Sequence, residues 1–257
     1  MLSISWLSWL KMLGFFLWIA PHALLGVVAV IVFRRRLYRE FPCFFVYVLY
    51  EILQFILLFA LRSIPSVTGE QYAYTHYFTL LLSIALRFGV IDEVFKDLFR
   101  ESQLLKVAAR RSLQCVAGLL FLTGALLAVY APGDQSIMLV AGSIISRGAA
   151  MVQCGLLLSL LLCSPLLGLT WRLRTLGIAL GLGVVSSVDL ATYALRTEFS
   201  SPAWVPYLNF ALTAAYFVAV SIWIGYLLAP EREPALLAGV SREEVETLNT
   251  VLQHLVR

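Results

Sequence analysis

Seven apolar segments, each long enough to cross a membrane as a helix, constrain this chain more than any other feature. A spanning helix needs about 20 mostly apolar residues, because the bilayer core holds no water to pair with backbone amides. The segments cover residues 13–33, 41–61, 72–91, 112–130, 137–163, 175–195 and 207–228. Hydrophobic residues make up 61% of the chain and charged residues 13%, which excludes an ordinary soluble domain. The prediction is an all-α, polytopic bundle of seven transmembrane helices within residues 1–230.

The distribution of Lys and Arg predicts the orientation, since basic residues near the ends of spans are retained in the cytoplasm. Fourteen of the 19 basic residues fall on one side of the seven segments, including four arginines at 34–39. Only Lys11, Arg62 and Arg196 fall on the other side. We therefore expect the N-terminus outside and the C-terminus in the cytoplasm of a plasma membrane or bacterial inner membrane. The basic inner surface is expected to contact anionic inner-leaflet lipids.

Residues 231–257 are predicted to form a cytoplasmic tail that ends in a short amphipathic helix. Ser241 and Glu244 have the spacing of a capping box, so the helix should begin at Arg242. Its apolar face consists of Val245, Leu248, Leu252 and Leu255. Because a helix this short is marginal in water, it must dock on another surface. That surface is the chain's own cytoplasmic face, a second copy in a homodimer, or a cytoplasmic partner protein.

Two glycines in the 175–195 segment predict close packing of this helix on a neighbour. Gly177 and Gly181 form a G-x-x-x-G motif, which lets another backbone approach. We expect the contact to lie within the chain, with a seam between two copies as the alternative.

Ionisable residues inside the apolar segments predict a polar centre, because a charge in hydrocarbon costs at least several kcal/mol unless it is paired or hydrated. At a rise of about 1.5 Å per residue, Glu51 and Arg147 lie at one depth, which would allow them to meet. Asp189 is predicted nearer the outside and Arg87 nearer the cytoplasm. The complete predicted ligand or proton site is Glu51, Arg147, Asp189, Arg87, His22, Tyr47 and Gln54.

Three functions compete for this centre. A sensor or transducer is favoured, because the capped tail helix and the long basic inner connection at 92–111 are features expected of an output. A small-solute or proton-coupled transporter using Glu51 and Asp189 is the first alternative. The second is a non-catalytic structural subunit whose buried charges only fix helix packing. An enzyme is disfavoured, because the sequence has no phosphate-binding glycine loop, H-E-x-x-H, C-x-x-C or G-x-S-x-G motif.

The seven-span layout with an outside N-terminus resembles that of microbial rhodopsins, whose retinal Schiff base requires a lysine in the last span. The lysines of this chain are Lys11, Lys96 and Lys106, so retinal attachment is not expected. No other cofactor, no metal site and no nucleic-acid partner is expected.

Overall fold

The computed structural model describes residues 19–100, 118, 122, 137–166, 171–198 and 204–230. All regular secondary structure in this part of the chain is helical. Six α-helices follow in order: α1 (Ile19–Arg34), α2 (Pro42–Ser63), α3 (Gly69–Leu98), α4 (Ile137–Leu166), α5 (Leu173–Glu198) and α6 (Val205–Leu228). A short 3-10 helix, Leu37–Arg39, connects α1 to α2. The prediction of a helical membrane bundle is confirmed.

Four stretches are long and apolar enough to cross a membrane: Pro42–Ser63, Ile144–Leu162, Leu173–Leu195 and Val205–Leu228. Three of them agree with predicted segments to within two residues at each end, and Ile144–Leu162 lies inside the predicted segment 137–163. The described part of α1 is apolar but shorter, and α3 is long enough but is not among the four. Only Gly118 and Leu122 of the predicted segment 112–130 are described, and both are helical. A multi-pass membrane protein follows, while the count of seven spans and the orientation remain predictions.

The ends of three helices are stabilised by identifiable groups. At the start of α3, Thr68 and Gln71 form a capping box, with each side chain accepting a hydrogen bond from the other's backbone N–H at 3.1 to 3.2 Å. At the end of α6, Arg35 donates to the carbonyls of Leu227 and Leu228 at 2.8 and 3.2 Å. A guanidinium at this position also complements the negative end of the helix dipole. The start of α2 is stabilised by Glu93 of α3, which accepts hydrogen bonds from its first backbone N–H groups.

Helices α2, α3, α5 and α6 enclose the centre of the molecule. α2 packs on α3, α3 on α5, and α5 on α6. Trp223 of α6 closes the ring against α2, with its indole edge-on to Phe44 at 5.3 Å between ring centroids. α1 lies beside α2 and α6. Its His22 stacks on Phe55 of α2, and the same ring lies 5.7 Å from the Tyr216 ring of α6. α4 lies beside α3 and α5.

The contact between α5 and α6 depends on the predicted glycine motif. A Cβ atom added at Gly177 would lie 2.2 Å from Cβ of Tyr226, and one added at Gly181 would lie 2.2 Å from Nε1 of Trp223. The same indole N–H donates to the carbonyl of Ile178 at 3.3 Å. The expectation of packing within the chain is therefore confirmed.

Candidate functional site

Glu51 of α2 lies at the centre of the four-helix ring. Glu51 is only 9% exposed. The Ser83 hydroxyl of α3 donates a short hydrogen bond to one carboxyl oxygen, and the Tyr216 hydroxyl of α6 donates to the other at 3.3 Å. Three helices therefore meet at one carboxyl group. Neither hydroxyl belongs to the site predicted from the sequence.

Arg87 of α3 and Asp189 of α5 form the second part of the centre. Arg87 Nη1 lies 2.9 Å from Asp189 Oδ2, and the two side chains are 11% and 23% exposed. The predicted depths, which put Asp189 near the outside and Arg87 near the cytoplasm, did not suggest this pair. The structure brings them together because an arginine side chain is long enough to bridge neighbouring levels of two packed helices.

Tyr47 connects the two parts. Its fully buried ring lies 6.0 Å from the Arg87 guanidinium carbon and edge-on to Trp223 at 6.1 Å. An arginine over an aromatic ring is a cation–π contact, which is strongest where water is excluded. Neither the Tyr47 hydroxyl nor Arg87 Nε has a hydrogen-bond partner among the described residues. The centre therefore retains one buried donor and one buried hydroxyl that the described helices do not satisfy.

The centre contains unequal numbers of acids and bases. Glu51 and Asp189 supply two carboxyl groups, whereas Arg87 is the one guanidinium that the described residues bring to them. With both carboxyls ionised, the group carries one net negative charge in surroundings where an unpaired charge is expensive. Such a site can bind one proton, or it can bind a small cationic or hydroxyl-rich ligand.

His22 and Gln54 are two further residues of the predicted site. His22 stacks on Phe55 with ring centroids 3.9 Å apart and lies 5.7 Å from the Tyr216 ring. Gln54 has a buried Oε1 atom with no hydrogen-bond partner in the described part of the chain. The structure thus brings together Glu51, Tyr47, Arg87 and Asp189, and it places His22 beside Tyr216, whose hydroxyl donates to Glu51.

Arg147 is not brought to Glu51, although the two residues were expected at one depth. It is exposed on α4 and forms no ion pair with a described carboxylate. The buried stripe of α4 contains Ser146, Ala149, Ala150, Gln153, Leu157 and Leu160. Because successive helical residues are rotated by about 100°, a side chain next to Ser146 points away from this stripe. The depth of a residue along a helix does not determine which face of that helix it occupies.

Gln153 is a large polar residue that α4 turns inward, and the sequence interpretation missed it. It is 1% exposed. Its amide nitrogen lies 3.5 Å from the Ile84 carbonyl of α3, and its amide oxygen lies 3.5 Å from the Ser186 hydroxyl of α5. The spacing of three and four residues between Ser146, Ala150, Gln153 and Leu157 is the signal that would have identified this face.

A second set of charged contacts lies at the C-terminal end of α3, beyond the predicted span 72–91. Both Glu93 carboxyl oxygens accept hydrogen bonds from the start of α2, from Cys43 N at 2.5 Å and Phe44 N at 2.9 Å. Phe41, the N-cap residue of α2, supplies no side-chain cap, so Glu93 takes that role from a different helix. Burial raises the pKa of Glu93 above its usual value, and the two backbone N–H groups act in the opposite direction.

One turn further along α3, Asp97 holds the start of α5. It accepts a hydrogen bond from the Thr175 hydroxyl at 2.5 Å and lies 3.5 Å from the Arg172 guanidinium. Arg172 also pairs with Glu40 at 2.5 Å, and Arg174 lies 3.5 Å from the other Glu40 oxygen. α3 therefore contacts the polar centre near its middle and the N-termini of α2 and α5 at its end.

The predicted output residues Val245, Leu248, Leu252 and Leu255 lie outside the described residues. Among the residues that the structure does describe, no group of three His, Cys, Asp or Glu side chains could hold a metal ion. Comparison with protein-family models, with curated proteins and with solved structures finds no match.

Proposed function

We propose that this chain is a membrane sensor or transducer whose polar centre binds a proton or a small polar ligand. In this proposal the chain has seven spans, its N-terminus lies outside and its tail is cytoplasmic. The binding event takes place among Glu51, Arg87 and Asp189. Its effect reaches the inner membrane face through α3.

The excess of one carboxyl group supports binding at the centre. Among the residues that the structure describes, Glu51 receives two hydroxyl donors and no guanidinium, while Asp189 receives Arg87. Protonating Glu51, or placing a donor group beside it, would remove the uncompensated charge. A purely structural ion pair would not need the second acid.

The contacts of α3 support transmission of a change from the polar centre to the starts of α2 and α5. They are the observation on which the proposal rests. In the polar centre, Ser83 contacts Glu51 and Arg87 contacts Asp189. Further along the same helix, Glu93 and Asp97 accept hydrogen bonds from the starts of α2 and α5. All four residues lie on one continuous helix of 30 residues, Gly69–Leu98. A small rotation or shift of α3 at the centre would therefore change both contacts at its end. Such displacements of packed helices are a known way to couple two sites.

Hydrogen exchange of the reconstituted full-length chain tests this proposal. The measurement compares amide exchange at residues 42–46 and 173–178 in acidic and in neutral buffer. We expect the wild type to show a pH-dependent change at both places. Glu51→Gln should lose the change at 173–178 and keep at 42–46 only the part that Glu93 contributes by its own contact with Cys43 and Phe44. Glu70→Gln is the matched control, because Glu70 is an exposed acid at the far end of α3 and should behave as wild type. Equal pH responses in wild type and Glu51→Gln would contradict sensing through Glu51.

Two added measurements separate the alternatives. Proton or solute flux in vesicles that depends on Glu51 would favour a transporter, which the same excess of acid would also suit. A variant with Arg87 and Asp189 both replaced by apolar residues, stable and with an unchanged pH response, would favour a purely structural role for that pair.

Removal of residues 240–257 tests the output, since an unchanged ligand response and unchanged recovery of partner proteins would exclude the tail helix from signalling.

A further inference from the structure

The connection between α1 and α2 is a compact, basic turn that is fixed to the rest of the protein. Residues 34–39 contain four arginines and end in the 3-10 helix Leu37–Arg39. Leu37 and Phe41 are buried, and the Phe41 N–H donates to the Leu37 carbonyl at 2.8 Å. Arg35 is held by the two carbonyls at the end of α6. The turn therefore presents its other arginines from a rigid support.

Arg36 has a backbone conformation that glycine normally supplies. Its φ is 56°, and it is the one non-glycine residue with a positive φ in the described part of the chain. A side chain in the left-handed region strains the backbone, and such strain is found most often at functional positions. Arg36 follows the end of α1, where a left-handed residue commonly terminates a helix, and its exposed side chain carries a positive charge there.

The positive charge of the turn is not neutralised within the described residues. Glu40, the acid nearest in sequence, is already engaged by Arg172 and Arg174 of the α5 end. Arg34, Arg36 and Arg39 are exposed, and none of them forms an ion pair with a described carboxylate. Three guanidinium groups are thus available to an external anion.

Aromatic side chains beside these arginines mark the level of a membrane surface. The Tyr38 ring lies 5.9 Å from the Phe33 ring and 6.1 Å from the Phe45 ring, and the Arg39 guanidinium carbon lies 5.9 Å from the Tyr38 centroid. Phe33, at the end of apolar α1, is 64% exposed. Aromatic rings next to basic residues are typical of the boundary between headgroups and acyl chains.

We propose that the 34–39 turn binds the phosphate of anionic phospholipid headgroups through Arg34, Arg36 and Arg39. A guanidinium matches the geometry of phosphate oxygens and donates to two of them at once. The exposed Phe33 ring favours a lipid over free phosphate, because it would contact the acyl chain below the headgroup. This site is separate from the polar centre and does not depend on the function proposed for it.

Lipid-dependent thermal unfolding of the purified full-length chain in detergent tests the proposal. Short-chain phosphatidylglycerol is the probe, and phosphatidylcholine and glycerol phosphate are the comparisons. We expect phosphatidylglycerol alone to raise the Tm of the wild type. At roughly 1 kcal/mol for each basic residue at an anionic surface, half-saturation should need about fivefold more lipid for each arginine lost, and about a hundredfold more for the triple glutamine variant.

Arg36→Gly separates binding from folding, because it relieves the backbone strain and removes the charge together. We expect its Tm without lipid to equal or exceed that of the wild type, while its half-saturation shifts by about fivefold. Arg62→Gln is the matched control at the far end of α2, and it should leave the titration unchanged. Equal titrations of wild type and Arg36→Gly, or an equal Tm shift from phosphatidylcholine or glycerol phosphate, would overturn the proposal.

Discussion

At the scale of single residues, the polar centre depends on how far side chains reach. Arg87 pairs with Asp189 although their positions along the chain placed them at different depths. Arg147, at the favourable depth, is exposed on α4. A long side chain can reach a partner at a different depth in the bundle. It cannot reach that partner from the opposite face of its own helix.

The ion pair between Arg87 and Asp189 gives a stability prediction. Arg87→Met should lower the free energy of unfolding by about 3 kcal/mol, because it leaves a carboxylate without its partner in a largely buried site. Adding Asp189→Leu should recover much of that loss. Arg147→Met is the control and should have little effect. Denaturation in mixed micelles measures all four proteins, and an equal loss for Arg87→Met and Arg147→Met would contradict the assigned pair.

Glu93 gives a prediction about pH. Its pKa is raised above the ordinary value of 4.5, so the folded chain holds this proton more tightly than the unfolded chain. The contribution of Glu93 to stability is therefore greatest below pH 4.5 and decreases as pH rises through the raised pKa. Glu93→Gln should lack this decrease. Unfolding of both proteins across this pH range measures the effect, and parallel pH profiles would refute it.

At the scale of helices, α5 and α6 approach closely because two positions have no side chain. Tyr226 and Trp223 fill the space over Gly177 and Gly181. Between helices that are both apolar, close packing supplies much of the association that the hydrophobic effect supplies in water. The indole of Trp223 also contacts α2, so this seam positions one wall of the polar centre.

Two glycines of α5 predict opposite effects of the same substitution. Gly181→Ala should destabilise by about 1 to 3 kcal/mol, since the new methyl group would overlap the buried Trp223 indole. Gly183→Ala meets no described atom within 4 Å and should be neutral or stabilising by up to about 1 kcal/mol, because alanine favours helix. Thermal unfolding compares the two variants. Equal stabilities would mean that Trp223 does not pack on this face.

At the scale of the whole molecule, four of the described helices enclose the charged groups, and the other two described helices flank them. This arrangement keeps Glu51, Arg87 and Tyr47 away from lipid, which is the condition for ionisable groups to persist in a membrane protein. It also leaves the basic turn at 34–39 and the Glu93 and Asp97 contacts at the same end of the bundle.

The proposed orientation is tested with reporter fusions. A fluorescent protein that folds only in the cytoplasm should be bright when fused after Arg257, and a phosphatase that requires export should be inactive there. The same phosphatase fused after Ser66, in the connection between α2 and α3, should be active. An active phosphatase after Arg257 would reverse the orientation and place the arginine turn outside.

The bounds of the long helices could be predicted from the sequence because they depend on local properties. Length, apolarity and backbone pairing in lipid decide where a spanning helix lies, and neighbouring residues carry all of that information. The G-x-x-x-G packing was predictable for the same reason. The inward role of Gln153 was also encoded, in the spacing of the buried stripe on α4, but it required the rotation of the helix and not only its span.

The amino-acid sequence thus determined the helical class, the apolar spans and which ionisable residues would need partners. Only the tertiary structure decided that Arg87 and not Arg147 reaches the centre, that Glu51 is held by Ser83 and Tyr216, and that Glu93 caps a different helix. Partner choice depends on the rotation and the relative level of helices far apart in the chain. Those quantities follow from the packing of all the helices together, which no local segment of sequence specifies.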